Sequence, residues 1–221
     1  MLLLLLFLPG CGASVPTAAD STVYMALTFD DGPSAQYTPE LLDGLTERGV
    51  HATFFLVGNL VEDNPELVQR MAAEGHQIGN HSYDHADLTR LTEWEMKQDI
   101  ARCDVLLCSL LGEKCYWVRP PYGCVSDGEC RCIDAPVINW SVDPEDWKVK
   151  NTDKVVKSVC DAAFDGCIIL LHDRYKTSVD AALQVIDRLQ AQGVQFVTVE
   201  ELLTLRGITP ENGTIYRKAE K

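Results

Sequence analysis

The sequence predicts an α/β fold: a distorted (β/α) barrel of about seven parallel strands with helices outside it. From residue 23 onward, short apolar runs alternate with helix-like segments, and several of the runs end in polar clusters. The leading runs are nearly continuous rather than alternating in polarity, which is typical of parallel strands buried on both faces. Strand–helix alternation indicates a parallel sheet covered by helices. A doubly wound open sheet is the alternative that periodicity leaves open.

The predicted strands are short apolar segments bounded by polar or turn residues. The first of them, Val23 to Phe29, is an almost unbroken apolar run that contains one Thr. Their lengths suit buried strands, whereas helices usually need ten or more residues. The other predicted strands are Val50 to Val57, Gln77 to Gly79, Cys115 to Val118, Val137 to Val142, Cys167 to Leu171 and Gln195 to Val199.

The predicted helices lie between these strands and carry start and stop signals. Thr38 to Arg48 places three leucines on one face and is ended by Gly49. Asn64-Pro65 opens a helix that ends near Gly75, because Pro is well tolerated in the first turn. A long helix begins at Thr92 and runs to about Leu111. The remaining predicted helices are Thr152 to Phe164, Thr177 to Gln192 and Glu200 to Leu205.

Length and composition predict one globular domain. The chain has 221 residues, of which 46% are hydrophobic and 24% charged, and this composition excludes disorder. We assign residues 21–206 to the domain, 1–20 to a signal or tether segment and 207–221 to a polar C-terminal tail. The net charge of −14 excludes nucleic-acid binding through a broad basic surface. We expect a monomer.

The first residues predict export from the cytoplasm. Leu2 to Leu8 is an apolar run too short to span a membrane and typical of a secretion signal. Leu8-Pro9-Gly10-Cys11 resembles a bacterial lipobox, in which Cys11 would carry the lipid; an ordinary cleaved signal is the alternative. Both predict an extracytoplasmic protein, which is lipid-anchored at the cell surface through Cys11 alone in the first case and secreted in the second.

The cysteine count agrees with export. The chain has nine cysteines, and removing Cys11 leaves eight, an even number that favours four disulfides. A structural zinc site is the alternative, but the intervals lack the paired two-residue spacing of zinc ribbons. Eight cysteines allow 105 pairings, so the connectivity stays open. The eight are Cys103, Cys108, Cys115, Cys124, Cys130, Cys132, Cys160 and Cys167.

Polar clusters follow five of the predicted strands. In a parallel barrel the carboxyl ends of all strands lie on one face, where catalytic groups gather. Any one cluster alone could be a turn or a helix cap, but five at matched strand ends predict a common site. They are Asp30-Asp31-Gly32-Pro33, Asn80-His81-Ser82-Tyr83-Asp84-His85, Arg119-Pro120-Pro121-Tyr122-Gly123, Asp143-Pro144-Glu145-Asp146-Trp147 and His172-Asp173.

The residue types in these clusters indicate metal-assisted hydrolysis. Two histidines and one aspartate can hold a divalent metal and leave positions open for water and substrate. A second carboxylate could remove a proton from the water, and a separate protonated histidine could deliver one to the leaving group.

In this order, the five clusters resemble the motifs of the polysaccharide deacetylase family, also called the NodB-homology domain or carbohydrate esterase family four. The resemblance covers about residues 22 to 205. After Gly123 the chain departs from the family, because a short cysteine-rich segment replaces a helix of ordinary composition. The matching segments are Thr28-Phe29-Asp30-Asp31-Gly32-Pro33, His81-Ser82-Tyr83-Asp84-His85, Arg119-Pro120-Pro121-Tyr122, Asp143-Pro144-Glu145-Asp146-Trp147 and Leu170-Leu171-His172.

The resemblance implies a role for each matching residue. Asp31, His81 and His85 would hold Zn²⁺ or another divalent transition metal. Asp30 would be the general base, oriented by Arg119. His172 would be the general acid, tuned by Asp146. The backbone N–H of Tyr122 would stabilise the oxyanion, and Trp147 and Leu170 would shape the pocket for the acetyl methyl group.

The implied activity is removal of N-acetyl groups from an acetylated glycan, with peptidoglycan or a chitin-like oligosaccharide as substrate. O-acetyl ester hydrolysis on xylan-like polymers is one alternative, because the family's metal site serves both bonds. A non-catalytic cell-wall glycan-binding protein is another, although such a protein needs neither a general base nor a general acid.

Overall fold

A computed structural model describes residues 22–123 and 126–220 of the protein. Within these ranges the chain forms seven strands, and every pairing between them is parallel. The predicted signal, the lipobox and Cys124 lie outside the described residues. The strands are β1 (Val23–Gly32), β2 (Thr53–Leu56), β3 (Gln77–Asn80), β4 (Val137–Ile138), β5 (Ile168–His172), β6 (Val194–Val197) and β7 (Ile215–Tyr216).

Strand β1 is the centre of the sheet. The strand order is β3-β2-β1-β5, and β6 pairs with the first residues of β1. The register places Asp30 of β1 directly opposite His172 of β5, while Leu56 of β2 lies opposite Asn80 of β3. The residues that end these strands therefore meet at one edge of the sheet, as the parallel arrangement predicts.

Single-residue bridges extend this sheet into the predicted distorted barrel. Val118 pairs with Asn80 at the end of β3 and with Val137 of β4, and Val142 pairs with Ile169 of β5. The predicted strand at 115–118 is thus reduced to one bridging residue, Val118. The predicted strand at 137–142 is divided between β4 and the bridge at Val142. Because the wall closes through these short contacts, the barrel is irregular.

The helices cover the barrel. Six of them start and end within about two residues of their predicted positions, and the short α2, α5 and α6 were not predicted. No helix in the described part of the chain combines the length and apolar character needed to cross a membrane. The helices are α1 (Thr38–Glu47), α2 (Gly58–Asp63), α3 (Pro65–Ala73), α4 (Glu93–Leu111), α5 (Asp127–Cys130), α6 (Asp146–Val149), α7 (Thr152–Ala162), α8 (Lys176–Gln190) and α9 (Val199–Leu205).

Both faces of β1 are buried, which explains its continuous apolar sequence. Leu27 and Phe29 belong to the outer core, formed with residues of the surrounding helices. Ala26 lies on the opposite face with Phe55 and Leu202, where α9 closes the bottom of the barrel. Because strand residues alternate between faces, the polar Thr28 and Asp30 continue the inner face toward the site.

The prediction of a separate polar tail is wrong for residues 207–220, because this segment packs against the domain. Strand β7 pairs with β4, and Ala219 is 1% exposed, with its N–H donating to the Gly166 carbonyl at 2.8 Å. The two-residue β4 would otherwise leave an unpaired edge, and β7 covers it. The polar composition of residues 207–221 conceals this short apolar strand.

The prediction of four disulfides is also wrong. Six of the cysteines are thiols in the structure, so at most one pair among the eight is left. Burial raises the pKa of the Cys103 thiol far above its usual range and that of Cys167 to about 11. Thiolates are the species that form disulfides, so these two side chains act instead as small core residues. The six are Cys103, Cys108, Cys115, Cys132, Cys160 and Cys167.

Candidate active site

The five predicted clusters converge on one cleft at the carboxyl ends of the strands. The cleft has a volume of about 300 Å³ and is lined by residues from every cluster. Arg119 and Asp146 do not line it but lie directly beneath, fully buried. The lining residues are Asp30, Asp31, His81, His85, Tyr122, Trp140, Asp143, Trp147, Leu170, His172 and Tyr175.

A β-bulge at the end of β1 allows two adjacent aspartates to serve one site. Asp30 pairs with Phe55 and Gly32 with Leu56, so Asp31 is an extra residue in the register. Its φ of 67° is left-handed. Neighbouring residues in a regular strand point to opposite faces, and the bulge removes this constraint. Asp31 therefore turns toward the same cleft as Asp30.

Asp31 lies between the two histidines of the second cluster. Its Oδ1 is 3.0 Å from His85 Nε2 and 3.4 Å from His81 Nε2. The three potential ligand atoms all lie within 4.8 Å of one another. Burial raises the pKa of Asp31, but the hydrogen bonds and charges of both histidines outweigh it and hold the pKa well below its usual range.

The donor set fits a divalent transition metal. His81 Nδ1 lies 2.7 Å from the Arg119 carbonyl oxygen, and a proton on Nδ1 donates to that oxygen. This tautomer leaves the Nε2 lone pair free to bind a metal, as in most histidine ligands. Two imidazole nitrogens and one carboxylate oxygen form a set that Zn²⁺ and related ions accept, with a position left for water.

Asp30 is fixed beside this cluster by a buried ion pair. Arg119 is fully buried and donates from Nη1 to Asp30 Oδ1 at 2.7 Å and to Thr28 Oγ1 at 2.7 Å. Burial lowers the pKa of Arg119, and the charge and hydrogen bond of Asp30 oppose this effect. Asp30 Oδ2 lies 3.7 Å from His81 Nε2, so the second oxygen faces the histidine–aspartate cluster.

Arg119 is itself held rigidly by the barrel. Its Nε donates to the Ile138 carbonyl at 3.0 Å and its Nη2 to the Asn139 carbonyl at 3.1 Å. The guanidinium carbon lies 4.1 Å from the centre of the Phe55 ring. A charge-assisted pair held in this way orients Asp30 and limits rotation of its carboxylate.

His172 is paired with Asp146 on another wall of the cleft. Asp146 Oδ1 accepts a hydrogen bond from His172 Nδ1 at 2.8 Å, and its Oδ2 accepts one from the His172 backbone N–H at 2.9 Å. Burial lowers the pKa of His172, but the hydrogen bond and charge of Asp146 outweigh it, and together with Asp30 and Asp31 they raise this pKa to about 9. His172 is therefore protonated at neutral pH.

The three predicted substrate residues all line the cleft. Leu170 is 3% exposed and forms part of its floor, whereas Tyr122 and Trp147 are 63% and 47% exposed. The Tyr122 ring centre lies 4.7 Å from that of His85 in an edge-on contact. The two exposed aromatic rings provide an apolar surface of the kind on which carbohydrate-sized ligands can rest.

Sequence reasoning assigned no individual role to four residues of the site, although Asp173 belongs to the predicted His172-Asp173 cluster. Trp140 and Tyr175 line the cleft, but the sequence predicts only a strand position for Trp140 and neither an element nor a site for Tyr175. Asp173 is fully buried and accepts a hydrogen bond from Thr38 Oγ1, and a Cβ on Gly32 would lie 2.6 Å from Asp173 Oδ2. Arg174 approaches Asp31. Arg174 directly follows the predicted His172-Asp173 cluster, and this position is the signal by which the sequence could have indicated it.

A family model described as polysaccharide deacetylase matches residues 18–132. Peptidoglycan-N-acetylglucosamine deacetylase PgdA of Listeria monocytogenes is 44% identical over 178 residues. Peptidoglycan-N-acetylmuramic acid deacetylase PdaC of Bacillus subtilis is also 44% identical over 178 residues. Each match covers 80% of this chain but only 38% of the relative, so the chain spans about two fifths of their length.

Solved structures agree with the fold. The structure of peptidoglycan deacetylase PdaC from Bacillus subtilis aligns with a TM-score of 0.82 at 42% sequence identity. The alignment covers 85% of this chain and 93% of that one. The likeness therefore extends over most of this chain.

Proposed function

This chain belongs to the polysaccharide deacetylase family, and from that premise we propose that it is a metal-dependent hydrolase that removes N-acetyl groups from peptidoglycan. One observation carries the proposal: a metal-type ligand set, a carboxylate fixed by arginine and a histidine paired with aspartate all border one cleft. The names of the two relatives, which are equally similar, mention different sugars. Their identity alone therefore does not choose between N-acetylglucosamine and N-acetylmuramic acid.

Asp31, His81 and His85 would hold the metal, Zn²⁺ or another divalent transition ion. A divalent ion bound there would lower the pKa of a water molecule and polarise an amide carbonyl. Side chains of the protein itself carry out the proton transfers of the reaction. The proposed location is extracytoplasmic, at the cell wall that the relatives' names indicate as substrate. The lipid anchor at Cys11 and the monomeric state stay predictions.

Asp30 is the proposed general base. Its Oδ1 is held by Arg119, while Oδ2 faces the ligand cluster and is positioned to accept a proton from water. The water oxygen then attacks the carbonyl carbon of the acetamido group. General-base catalysis of this kind contributes roughly 10²–10⁴-fold to rate. The Tyr122 backbone N–H would donate to the carbonyl oxygen as negative charge develops there.

His172 is the proposed general acid. As the carbon–nitrogen bond breaks, the imidazolium gives its proton to the sugar nitrogen, and acetate and a free amine leave the site. Asp146 holds Nδ1, so the proton for transfer lies on Nε2. Leu170 and Trp147 would enclose the acetyl methyl group, because an apolar pocket favours a methyl over water.

Asp146→Asn is expected to move the alkaline limit of activity to lower pH. His172 acts when protonated, so kcat/KM should fall as pH rises through its pKa, which Asp146, with Asp30 and Asp31, raises to about 9. A bound cation would offset part of the effect of Asp30 and Asp31. Removing the Asp146 charge removes a favourable interaction with imidazolium, and such a charge shifts a pKa by about 1–3 units. The measurement is the pH profile of kcat/KM, and an unmoved alkaline limb in a folded variant would contradict this acid assignment.

The function is tested by acetate release from the zinc-loaded protein. Peptidoglycan, chitooligosaccharide and acetylxylan are supplied in parallel. We expect release from peptidoglycan, with a free amine appearing on the sugar in equal amount. Release from acetylxylan alone would replace the proposal with O-acetyl ester hydrolysis. Binding of glycan with no release from any of the three would indicate the non-catalytic alternative.

A further inference from the structure

Two cations at the rim of the cleft are not used by the proposed hydrolysis. Arg174 and Lys150 come from different loops, and each lies close to a residue that lines the cleft: Arg174 to Asp31 and Lys150 to Tyr175. Arg174 is in the loop between β5 and α8, and Lys150 lies between α6 and α7. These two cations stand at a cleft that is itself lined by Asp30, Asp31 and Asp143, in a chain whose net charge is −14.

The guanidinium of Arg174 is available for a ligand. Its side chain is 52% exposed, and its Nη1 lies 3.6 Å from Asp31 Oδ2, beyond hydrogen-bond distance. The attraction between them is therefore mainly coulombic. A cation held by Asp31 would weaken that attraction, because it neutralises the same carboxylate. The planar fork of N–H donors on arginine matches a carboxylate in both distance and orientation.

Lys150 adds a second positive charge beside Tyr175. Its Nζ lies 4.5 Å from the centre of the Tyr175 ring, and no carboxylate in the described parts of the chain forms an ion pair with it. Its neighbour Lys148, by contrast, is paired with Glu145 at 3.0 Å. Lys150 therefore raises the local potential at Tyr175 without being neutralised by the protein.

We propose that Arg174, assisted by Lys150, binds a carboxylate of the glycan strand and makes the enzyme selective for acidic over neutral acetylated glycans. This inference rests on the proposed function and specifies its substrate. In peptidoglycan the carboxylate has two sources, the lactyl group of N-acetylmuramic acid and the stem peptide attached to it. Neutral chitooligosaccharides contain neither, so they would bind without this contribution.

The test compares wild type with Arg174→Gln on three substrates of equal length. They are peptide-free glycan strands with free lactyl carboxylates, the same strands carrying stem peptides, and chitooligosaccharide. We expect the variant to raise KM about tenfold on at least one acidic substrate. A tenfold change corresponds to the lower end of the free energies of charge-assisted hydrogen bonds, which suits a half-exposed site. We expect kcat to change less than about twofold, because Arg174 is not assigned to the chemical step.

The substrates on which Arg174→Gln raises KM identify the carboxylate that Arg174 binds. A rise in KM confined to peptide-free strands assigns the bound carboxylate to the lactyl group. A rise in KM confined to peptide-bearing strands assigns it to the stem peptide. Arg174→Lys should recover part of the affinity, and the wild-type KM for the acidic strand should rise with added salt. Arg188→Gln, which removes an exposed arginine from α8, is the matched control and should behave as wild type.

Three results would overturn the inference. One is an unchanged KM on both acidic strands, and another is an equal rise on chitooligosaccharide. A fall in kcat on every substrate together with a changed zinc affinity would show that Arg174 acts through Asp31 instead. If wild type releases no acetate, the proposed function fails separately. The inference is then tested by glycan binding, followed through the fluorescence of Trp140 and Trp147, and equal affinity for acidic and neutral strands would refute it.

Discussion

Asp30→Asn is expected to lower kcat for deacetylation by about 10²–10⁴-fold while zinc remains bound, because asparagine cannot accept the proton from water. The metal-type ligand set stays complete, since Asp31, His81 and His85 are unchanged. Acetate release under saturating substrate measures kcat, and metal analysis of the same preparation measures zinc. A folded, zinc-bearing variant with a rate near that of wild type would refute the base assignment.

The same change also affects stability, so folding must be measured beside activity. Asparagine keeps an acceptor for Arg119 but removes the charge that balances a fully buried guanidinium. Removal of one partner of a buried ion pair costs about 3–5 kcal/mol, and the retained hydrogen bond places this variant toward the lower value. Asp153→Asn, at an exposed position in the first turn of α7, is the charge-matched control. It should leave kcat unchanged and cost at most about 1 kcal/mol, because it removes only a favourable charge at a helix N-terminus.

His81→Ala is expected to abolish both zinc binding and activity. The change removes the Nε2 ligand, and with it the Nδ1 hydrogen bond to the Arg119 carbonyl. Loss of a partner that merely orients a ligand costs roughly 10–100-fold in metal affinity, so loss of the ligand itself should cost more. Zinc affinity is measured by competition with a chelator, and the residual rate is measured with zinc in excess.

His51→Ala provides the matched control for the histidine change. His51 is exposed and lies away from the cleft, so its replacement should leave zinc affinity and kcat unchanged. If His81→Ala bound one zinc as tightly as His51→Ala, the ligand assignment would be wrong. Thermal unfolding of both variants in the absence of zinc separates a general loss of folding from a loss of the site.

Much of the fold was predictable because local signals agree with the tertiary arrangement. The Thr92–Glu95 capping box begins α4 where the sequence places it, with both reciprocal hydrogen bonds formed. Pro65 opens α3 for a similarly local reason. Strand β7 was missed because two apolar residues within a polar segment carry little periodic signal, and only the unpaired edge of β4 gives them a partner.

The cysteines show the opposite case, in which composition predicts an outcome that packing alters. An even count favours disulfides, but Cys103 and Cys167 are surrounded by apolar side chains of the outer core. Two thiols can bond only if the fold brings them together with suitable geometry. Counting cysteines carries no information about distance, so the error could not be detected from the sequence.

The site divides in the same way between sequence and structure. The sequence by itself determined which side chains are present and that they follow strands, because both depend on residue type and local pattern. The tertiary structure decided that Asp31 leaves the strand register, that Arg119 is buried against Asp30, and that His172 is paired with Asp146. It also placed Arg174 beside the cleft. These features depend on contacts between residues 24 to 143 positions apart, which only the tertiary fold brings within hydrogen-bond or ion-pair range.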